Sequence, residues 1–236
     1  MTIQEYFGPW QQVINLQEAD SLIQRLCMLA HRDNLIICPQ IKDIFKAFHL
    51  CPLSSLRVVI IGQDPYPTLS GCGTTTSIPV ATGIAFANRP STPSSSFSPS
   101  LSVLSDSVID FTVPHGIINF DPSLEKWEEQ GVLLLNSALS CIAGQPGSHS
   151  LLWRPFISSL LTSLSRHTVG IVYVLMGSQA QSFRHCINEQ SNHVLCTKHP
   201  AWYARNHSRM PSSIWHDINS ILIGLNGYGI QWYSEQ

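Results

Sequence analysis

Charge is scarce in this chain: only 12% of its 236 residues are Asp, Glu, Lys or Arg, about half the usual ~25%. That scarcity excludes a coiled coil, a long acidic or basic tail and a densely charged surface, all of which need charge in stripes or blocks. Thirteen Lys and Arg against fifteen Asp and Glu leave a net charge of −2. No field of one sign announces a nucleic-acid partner, so such a partner has to be argued from a site. Metal spacing is missing too. The seven cysteines, at 27, 38, 51, 72, 141, 186 and 196, contain no C-x(2–4)-C pair, which argues against a zinc ribbon or an iron–sulfur cluster. Their odd number reads as reduced thiols of an intracellular protein. No apolar run approaches the ~20 residues of a membrane span. The opening residues Met1, Thr2, Ile3, Gln4 and Glu5 lack the basic-then-apolar order of a signal peptide. A soluble, cytoplasmic protein is expected, with a nuclear or viral setting left open.

What the chain does have is apolar residues, 44% of the total, enough for one good core. A single domain over 1–236 is expected, with a helical segment at 1–50. Residues 16–31 carry apolar side chains at 19, 22, 23, 26, 29 and 30, the spacing of an amphipathic helix. Residues 41–48 repeat the pattern, with Pro39 near the start, where proline is tolerated. Residues 57–61 then form a short, β-branched apolar run ended by Gly62, as in a strand buried on both faces. Residues 132–135, 171–175 and, more weakly, 193–196 look the same, and helix-like segments lie near 99–110, 153–166, 178–187 and 212–224. This alternation predicts a three-layer α/β/α architecture with a central, mainly parallel, four-stranded twisted sheet. Residues 68–82 and 89–100, rich in Ser, Thr, Gly and Pro, read as surface loops flanking Ile84, Ala85 and Phe86.

In such sheets ligands bind beyond the carboxyl ends of the strands, so the four strand ends are where chemistry is expected. The first runs into Gly62, Gln63, Asp64, Pro65, Tyr66 and Pro67. Asp64 before a proline is held in a stiff turn with its carboxylate displayed, suited to orienting a water or facing a positive charge; an Asx turn closing the strand is the plainer reading. The second ends at Asn136, whose amide offers a donor and an acceptor together, or simply caps a turn. The third ends at Gly177 and Ser178, a phosphate-holding helix start or an ordinary N-cap. The fourth ends at Lys198, His199 and Pro200, followed by Ala201, Trp202, Tyr203, Ala204 and Arg205. Here a candidate acid, base or electrophile sits beside aromatics and a cation fit for base stacking and phosphate contact. The alternative is a satisfied loop histidine next to a hydrophobic plug.

Taken together the strings are more specific. GQDPYP at 62–67, GIAFAN at 83–88, PSL at 99–101, WEEQGVLLLNSAL at 127–139, AGQPGSHS at 143–150, VYVLMGSQAQ at 172–181 and KHP at 198–200 resemble, in this order over roughly 55–205, the family 1 uracil-DNA glycosylases. The resemblance implies hydrolysis of the bond between uracil and deoxyribose in DNA, with no cofactor and no metal. It implies Asp64 as the carboxylate that positions water and stabilises the cationic sugar, with Gln63 and the Pro65 carbonyl lining the same pocket. By the same resemblance Tyr66 is expected to exclude the methyl of thymine, Phe86 to stack on the flipped base and Asn136 to read the uracil edge. His199 is expected to be the neutral imidazole on the leaving base, and Ser100 and Ser178 to grip phosphates. These types suit the reaction, since breaking an N-glycosidic bond leaves an oxocarbenium-like sugar and a base anion that a fixed carboxylate and a fixed donor stabilise.

Two departures stand out. Pro67 occupies the place of the family's usual His, as in its poxvirus members. After His199 the family's HPSPLS is replaced by His199, Pro200, Ala201, Trp202, Tyr203 and Ala204, so two phosphate-gripping serines are absent. Tyr203 falls at the intercalating leucine and is expected to act as a flat wedge, with Trp202 sharing the role and Lys198, Arg205, His207 and Arg209 supplying a local basic face. The partners implied are uracil-containing DNA and, beyond it, a proteinaceous glycosylase inhibitor or a replication partner; a monomer with no membrane contact is expected. The competing class is a weakly active or inactive DNA-binding accessory protein that keeps the fold.

Overall fold

The computed structural model describes residues 3–71, 77–111 and 118–235, with the backbone alone at 118, 119, 234 and 235. Cys72 and the rest of 72–76, in the loop expected at 68–82, lie outside the described residues. Four strands form the centre: β1 (Val58–Gly62), β2 (Val132–Asn136), β3 (Val172–Met176) and β4 (His193–Thr197). They lie in the order β2-β1-β3-β4. Every neighbouring pair is parallel, so the sheet is wholly rather than mainly parallel. Gly62 sits opposite Asn136 and Met176 opposite Thr197. All of β1 and β3 is buried, whereas β4 is an edge strand with exposed positions. That is why the sequence of β4 is the weakest of the four runs.

Side chains alternate between the faces with the period of two that a strand imposes. Val59, Ile61, Leu133, Leu135, Tyr173 and Leu175 enter one core with Trp10, with Leu22 and Leu26 of α1 (Leu16–Arg32), and with Trp153, Phe156 and Leu160 of α3 (Ser150–His167). Val58, Ile60, Val132, Leu134, Val172 and Val174 enter the other, against Leu101, Leu104 and Val108 of α2 (Pro99–Phe111) and Trp215 and Ile218 of α5 (Ser213–Asn226). Each such side chain contributes roughly 1.5–3 kcal/mol on burial, and two covered faces are what a parallel sheet of this composition requires. Asn15 starts α1 by accepting the Glu18 N–H at 3.2 Å, an N-cap of the kind that satisfies an orphan donor. Gly227, at φ +82°, ends α5 with its N–H on the Ile223 carbonyl. No helix among the described residues is long and apolar enough to cross a membrane.

Three helical expectations need correction. Residues 41–48 do not form one helix but a 3₁₀ turn, Ile41–Asp43, and a short helix, Lys46–Leu50. The Asp43 carbonyl at the break abuts the Gly83 backbone, where an added Cβ would lie 1.9 Å from it. Residues 178–187 also split, into Ser178–Gln181 and Arg184–Cys186, and the turn between them carries Phe183 into the core. Helix α3 begins at Ser150, earlier than the expected 153, and carries Pro155 inside it. Pro155 is exposed, as is Leu151, whose carbonyl loses its helical partner there and faces solvent. Within 68–82 a two-residue ladder joins Leu69–Ser70 to Ile78–Pro79.

A test of the second core falls on Trp215. Its ring lies 5.4 Å from that of Trp127 and 4.7 Å from that of Trp232, and its Nε1 donates to Ser107 Oγ at 3.0 Å. Trp215→Ala is expected to cost about 3–5 kcal/mol, measured as a lower urea midpoint with an unchanged slope.

Candidate active site

The chain leaves β1 toward β2 on one side and β3 toward β4 on the other, so the strand order reverses between β1 and β3. A ligand crevice is expected beyond their carboxyl ends. A narrow slot lies there, and Asp64, Pro65, Tyr66, Phe86, Ser100, Asn136 and His199 all line it. A wider depression of about 580 Å³ sits at the amino ends, beside Arg57, Glu129 and Tyr228, and contains none of the residues singled out from the sequence. Size alone would have pointed to the wrong end of the sheet.

Glycine makes the slot. A Cβ on Gly62 would lie 2.6 Å from Asn136 Oδ1 and 2.7 Å from Phe86 Cζ, so both side chains occupy the space an alanine would need. Phe86 is itself held at φ +67°, a left-handed conformation that costs a non-glycine residue roughly 1–2 kcal/mol. The Tyr66 hydroxyl donates to the Phe86 carbonyl at 2.7 Å, which pins the two rings as one unit. Burial raises the Tyr66 pKa, so the phenol stays a donor. Behind them Asn88 clamps Ser98: Asn88 Nδ2 donates to Ser98 Oγ and Ser98 N–H donates to Asn88 Oδ1, each at 2.8 Å. Among the described residues the half-buried amide of Asn136 has no hydrogen-bond partner, which leaves both of its faces available to a ligand.

Asp64 follows β1 by two residues, and its Oδ2 accepts the Gly147 N–H at 2.5 Å. Burial pushes the carboxyl above its ordinary pKa, opposed by that N–H and by the Gln63 side chain. The Gly147 donor is positioned by its own segment: Gly144 N–H donates to the Pro67 carbonyl at 2.8 Å, and Ile142 N–H donates to Ser148 Oγ at 2.8 Å. His149 Nδ1, 2.9 Å from Ser140 Oγ, anchors the end of the segment, and Ser140 Oγ also accepts Trp153 Nε1 at 2.8 Å. No role for Gly147 was read from the sequence; the signal available was the AGQPGSHS string, whose turn glycines mark a shaped loop.

His199 caps α4 (Pro200–Arg205), its Nδ1 accepting the Ala201 N–H at 3.1 Å. A backbone N–H can only donate, so Nδ1 carries no proton and the neutral ring bears its hydrogen on Nε2. Burial and the positive charge of Arg205 lower its pKa to about 4. Its ring stands 5.6 Å from that of Phe86. A Cβ on Gly177 would lie 2.8 Å from His199 Cβ, so a second glycine admits this second residue.

The remaining sequence-derived residues are placed differently. Gln63 supports Asp64 but is not part of the slot wall; its carbonyl accepts Ala138 N–H at 3.0 Å and Ser137 Oγ at 2.7 Å. Pro65 is in the wall, and its carbonyl accepts the Cys141 thiol at 3.4 Å. Ser178 is exposed outside the slot. Tyr203 corrects the expectation of a protruding wedge: it is 8% exposed and packed in the second core, its hydroxyl 3.3 Å from Thr197 Oγ1. Trp202 is the more exposed of the two, with Lys198 Nζ 3.4 Å from its ring centroid. Arg205 and His207 are exposed, whereas Arg209 is drawn aside to Asp110 at 3.2 Å.

A doubly wound parallel sheet whose switch-point slot holds a half-buried carboxylate, an unpaired amide and a neutral imidazole defines an α/β protein with its ligand crevice at the carboxyl ends of the strands. The model of the Uracil DNA glycosylase superfamily matches residues 48–222, and the chain belongs to that superfamily. Similar proteins include one named uracil-DNA glycosylase from Coxiella burnetii (strain RSA 493 / Nine Mile phase I), 34% identical over 209 residues, 85% of this chain and 83% of the relative. Another of that name, from Escherichia coli O1:K1 / APEC, is 39% identical over 174 residues, 72% of this chain and 69% of the relative. Among solved structures, mimivirus uracil-DNA glycosylase superposes with a TM-score of 0.73 at 19% identity, covering 97% of this chain and 90% of its own. A mimivirus tyrosine variant in complex with UGI gives 0.77 at 20% identity, covering 98% and 88%. At such identities these two superpositions establish the fold.

The electrostatics of His199 are directly measurable. Imidazole nitrogen shifts are expected to show the Nε2–H tautomer at pH 7 and titration at about 4. Because the unfolded ring takes up its proton near 6.5 and the folded one only near 4, stability should fall as the pH drops through that window and level off below it.

Proposed function

We propose that this protein is a monofunctional family 1 uracil-DNA glycosylase, which hydrolyses the N-glycosidic bond between uracil and deoxyribose in DNA and leaves an abasic site. The observation that carries this reading is the convergence of Asp64, Asn136 and a neutral His199 on one slot floored by Phe86. The bond breaks with positive charge growing on the sugar and negative charge on the base. Asp64, dehydrated and therefore a strong partner for a cation, faces the sugar and orients the water that attacks it. The Nε2–H of His199 donates to the base as the anion develops; a neutral donor there avoids an imidazolium already paired with the ground state. Asn136 pairs with the imide edge of uracil. Cytosine reverses that donor and acceptor order and leaves buried polar groups unsatisfied. Tyr66, locked to Phe86, leaves no room for the methyl of thymine.

Reaching the bond in duplex DNA requires the nucleotide to be flipped out at a cost of a few kcal/mol. The partial exposure of Trp202 and the burial of Tyr203 support Trp202 as the side chain that meets the stack. Lys198, held against its ring, and Arg205 supply the cations beside it. Ser100 in the slot wall and Ser178 outside it are the phosphate contacts of the same reading. Residues 1–236 then work as one domain and as a monomer, in the cytoplasm. A proteinaceous inhibitor, of the kind held by the mimivirus variant, would compete for the same face.

Cleavage of a uracil-containing single-stranded oligonucleotide, with thymine and cytosine controls, tests the reaction. Asp64→Asn and His199→Ala are each expected to lower the rate by at least ~100-fold, the scale of losing one fixed catalytic group. Gly62→Ala is expected to lower it comparably by displacing Asn136 and Phe86. A wild-type chain that binds such DNA but excises nothing favours the accessory-protein reading instead. Binding measured by fluorescence anisotropy should weaken linearly on logarithmic axes with salt, by about 0.7 per phosphate neutralised on a single strand; a flat response removes the proposed basic face.

A further inference from the structure

Directly behind the Asp64 turn lies a pair of buried thiols that the proposed reaction does not use. Cys38 and Cys141 are cross-strand partners in a two-residue antiparallel ladder with Ile37 and Ile142, and both are 0% exposed. Residues directly opposed in such a ladder have Cα atoms about 4.5–5.5 Å apart, inside the ~4.4–6.8 Å that a disulfide spans. The register sets the two thiols side by side on one face of the ladder. Cys141 also donates its thiol proton to the Pro65 carbonyl at 3.4 Å, one residue beyond Asp64. From Cys141 the chain runs on to Gly147, whose N–H holds the Asp64 carboxylate from the other side.

We propose that Cys38 and Cys141 form a redox-modification site, in which oxidation to a disulfide removes the proton that holds the Pro65 carbonyl and so slackens the turn that carries Asp64. This inference rests on the reading of Asp64 as the group that acts on the sugar. The Cys141 proton is committed to the Pro65 carbonyl, and its neighbour Cys38, burial and the charge of Asp64 all oppose its loss, which leaves Cys38 as the thiol that reacts first. The oxidant is a peroxide, small enough to enter when the short ladder opens. The Cys38 thiolate attacks one oxygen of hydrogen peroxide, the O–O bond breaks, and a sulfenic acid and hydroxide result. The Cys141 sulfur then attacks the Cys38 sulfur. The S–S bond forms, the S–O bond breaks, and the hydroxyl leaves with the Cys141 proton as water. Two thiols are oxidised and one peroxide is reduced to two waters. A disulfide sulfur carries no hydrogen, so the Pro65 carbonyl is left without its donor.

The test uses the full chain with Cys27, Cys72 and Cys196 replaced by Ser, treated with hydrogen peroxide and digested without reduction. Mass spectrometry should find the Cys38 and Cys141 peptides joined and two hydrogens lighter. Single-turnover excision of uracil should fall about fivefold to tenfold, the scale of one lost neutral hydrogen bond. The acid limb of the pH–rate profile should also move, because Asp64 shifts against the Gly147 N–H, and dithiothreitol should restore both. Cys38→Ala and Cys38→Ser, which keep the Cys141 proton, should retain the untreated rate and lose the response. An unjoined pair after prolonged exposure, a joined pair with an unchanged rate and profile, or a Cys38→Ala chain as peroxide-sensitive as its parent each overturns the proposal. A fully reduced chain that excises no uracil strikes instead at the glycosylase reading, and the proposed control falls with it.

Discussion

Only a hydrogen fits on the Cα of Gly62 in the direction a side chain would take. Asn136 arrives there because the parallel register puts it opposite Gly62, and the Phe86 ring arrives from the loop that Tyr66 holds by its carbonyl. The same constraint recurs beyond β3, where Gly177 stands aside for His199. β1 and β3 are the neighbouring strands between which the chain reverses direction, so the two missing side chains open space where a doubly wound sheet presents its ligand crevice. The slot is thus an absence created by two glycines and walled by residues from six separate segments.

Within that absence, dehydration does opposite things to two groups. It destabilises the Asp64 carboxylate and the protonated form of His199, because burial penalises whichever form is charged. The carboxylate survives as an anion through the Gly147 N–H, and the histidine remains neutral with Nδ1 occupied by the Ala201 N–H. An anion short of solvation and a neutral donor are the two states that charge separation across a glycosidic bond calls for. The supports that hold them are backbone amides, which do not themselves titrate.

The outer surface obeys a different economy. With so few charges in the chain, each cation near the slot matters, and not all are free: Lys198 lies over Trp202 and Arg209 is paired with Asp110. An exposed ion pair such as the latter adds little stability, yet it subtracts a cation from the face that would meet phosphates. On the proposed reading, contact with nucleic acid leans on an aromatic ring more than on a field.

The sheet was legible in the sequence because a strand buried on both faces must be apolar throughout, and three of the four runs announce that without tertiary information. β4 was faint because none of its residues is fully buried, whereas β2, the other edge strand, is buried along four of its five. Asp64, Asn136 and His199 were legible as chemistry at strand ends, and the resemblance to the family 1 uracil-DNA glycosylases added Tyr66 and Phe86. The breaks near Asp43 and Phe183 were not legible: they answer to contacts with Gly83 and with the core, which local periodicity does not encode. Nor does sequence say which of two adjacent aromatics turns inward; the packing of α4 against α2 sends Tyr203 into the core and leaves Trp202 at the surface. The amide that holds Asp64 belongs to Gly147, 83 residues along the chain, and a backbone donor has no side-chain signature to read. The sequence determined which chemical groups are available and the periodicity of the sheet that carries them. The distances, tautomer and dehydration that make those groups useful were decided by tertiary structure, because they arise between residues that only folding brings together.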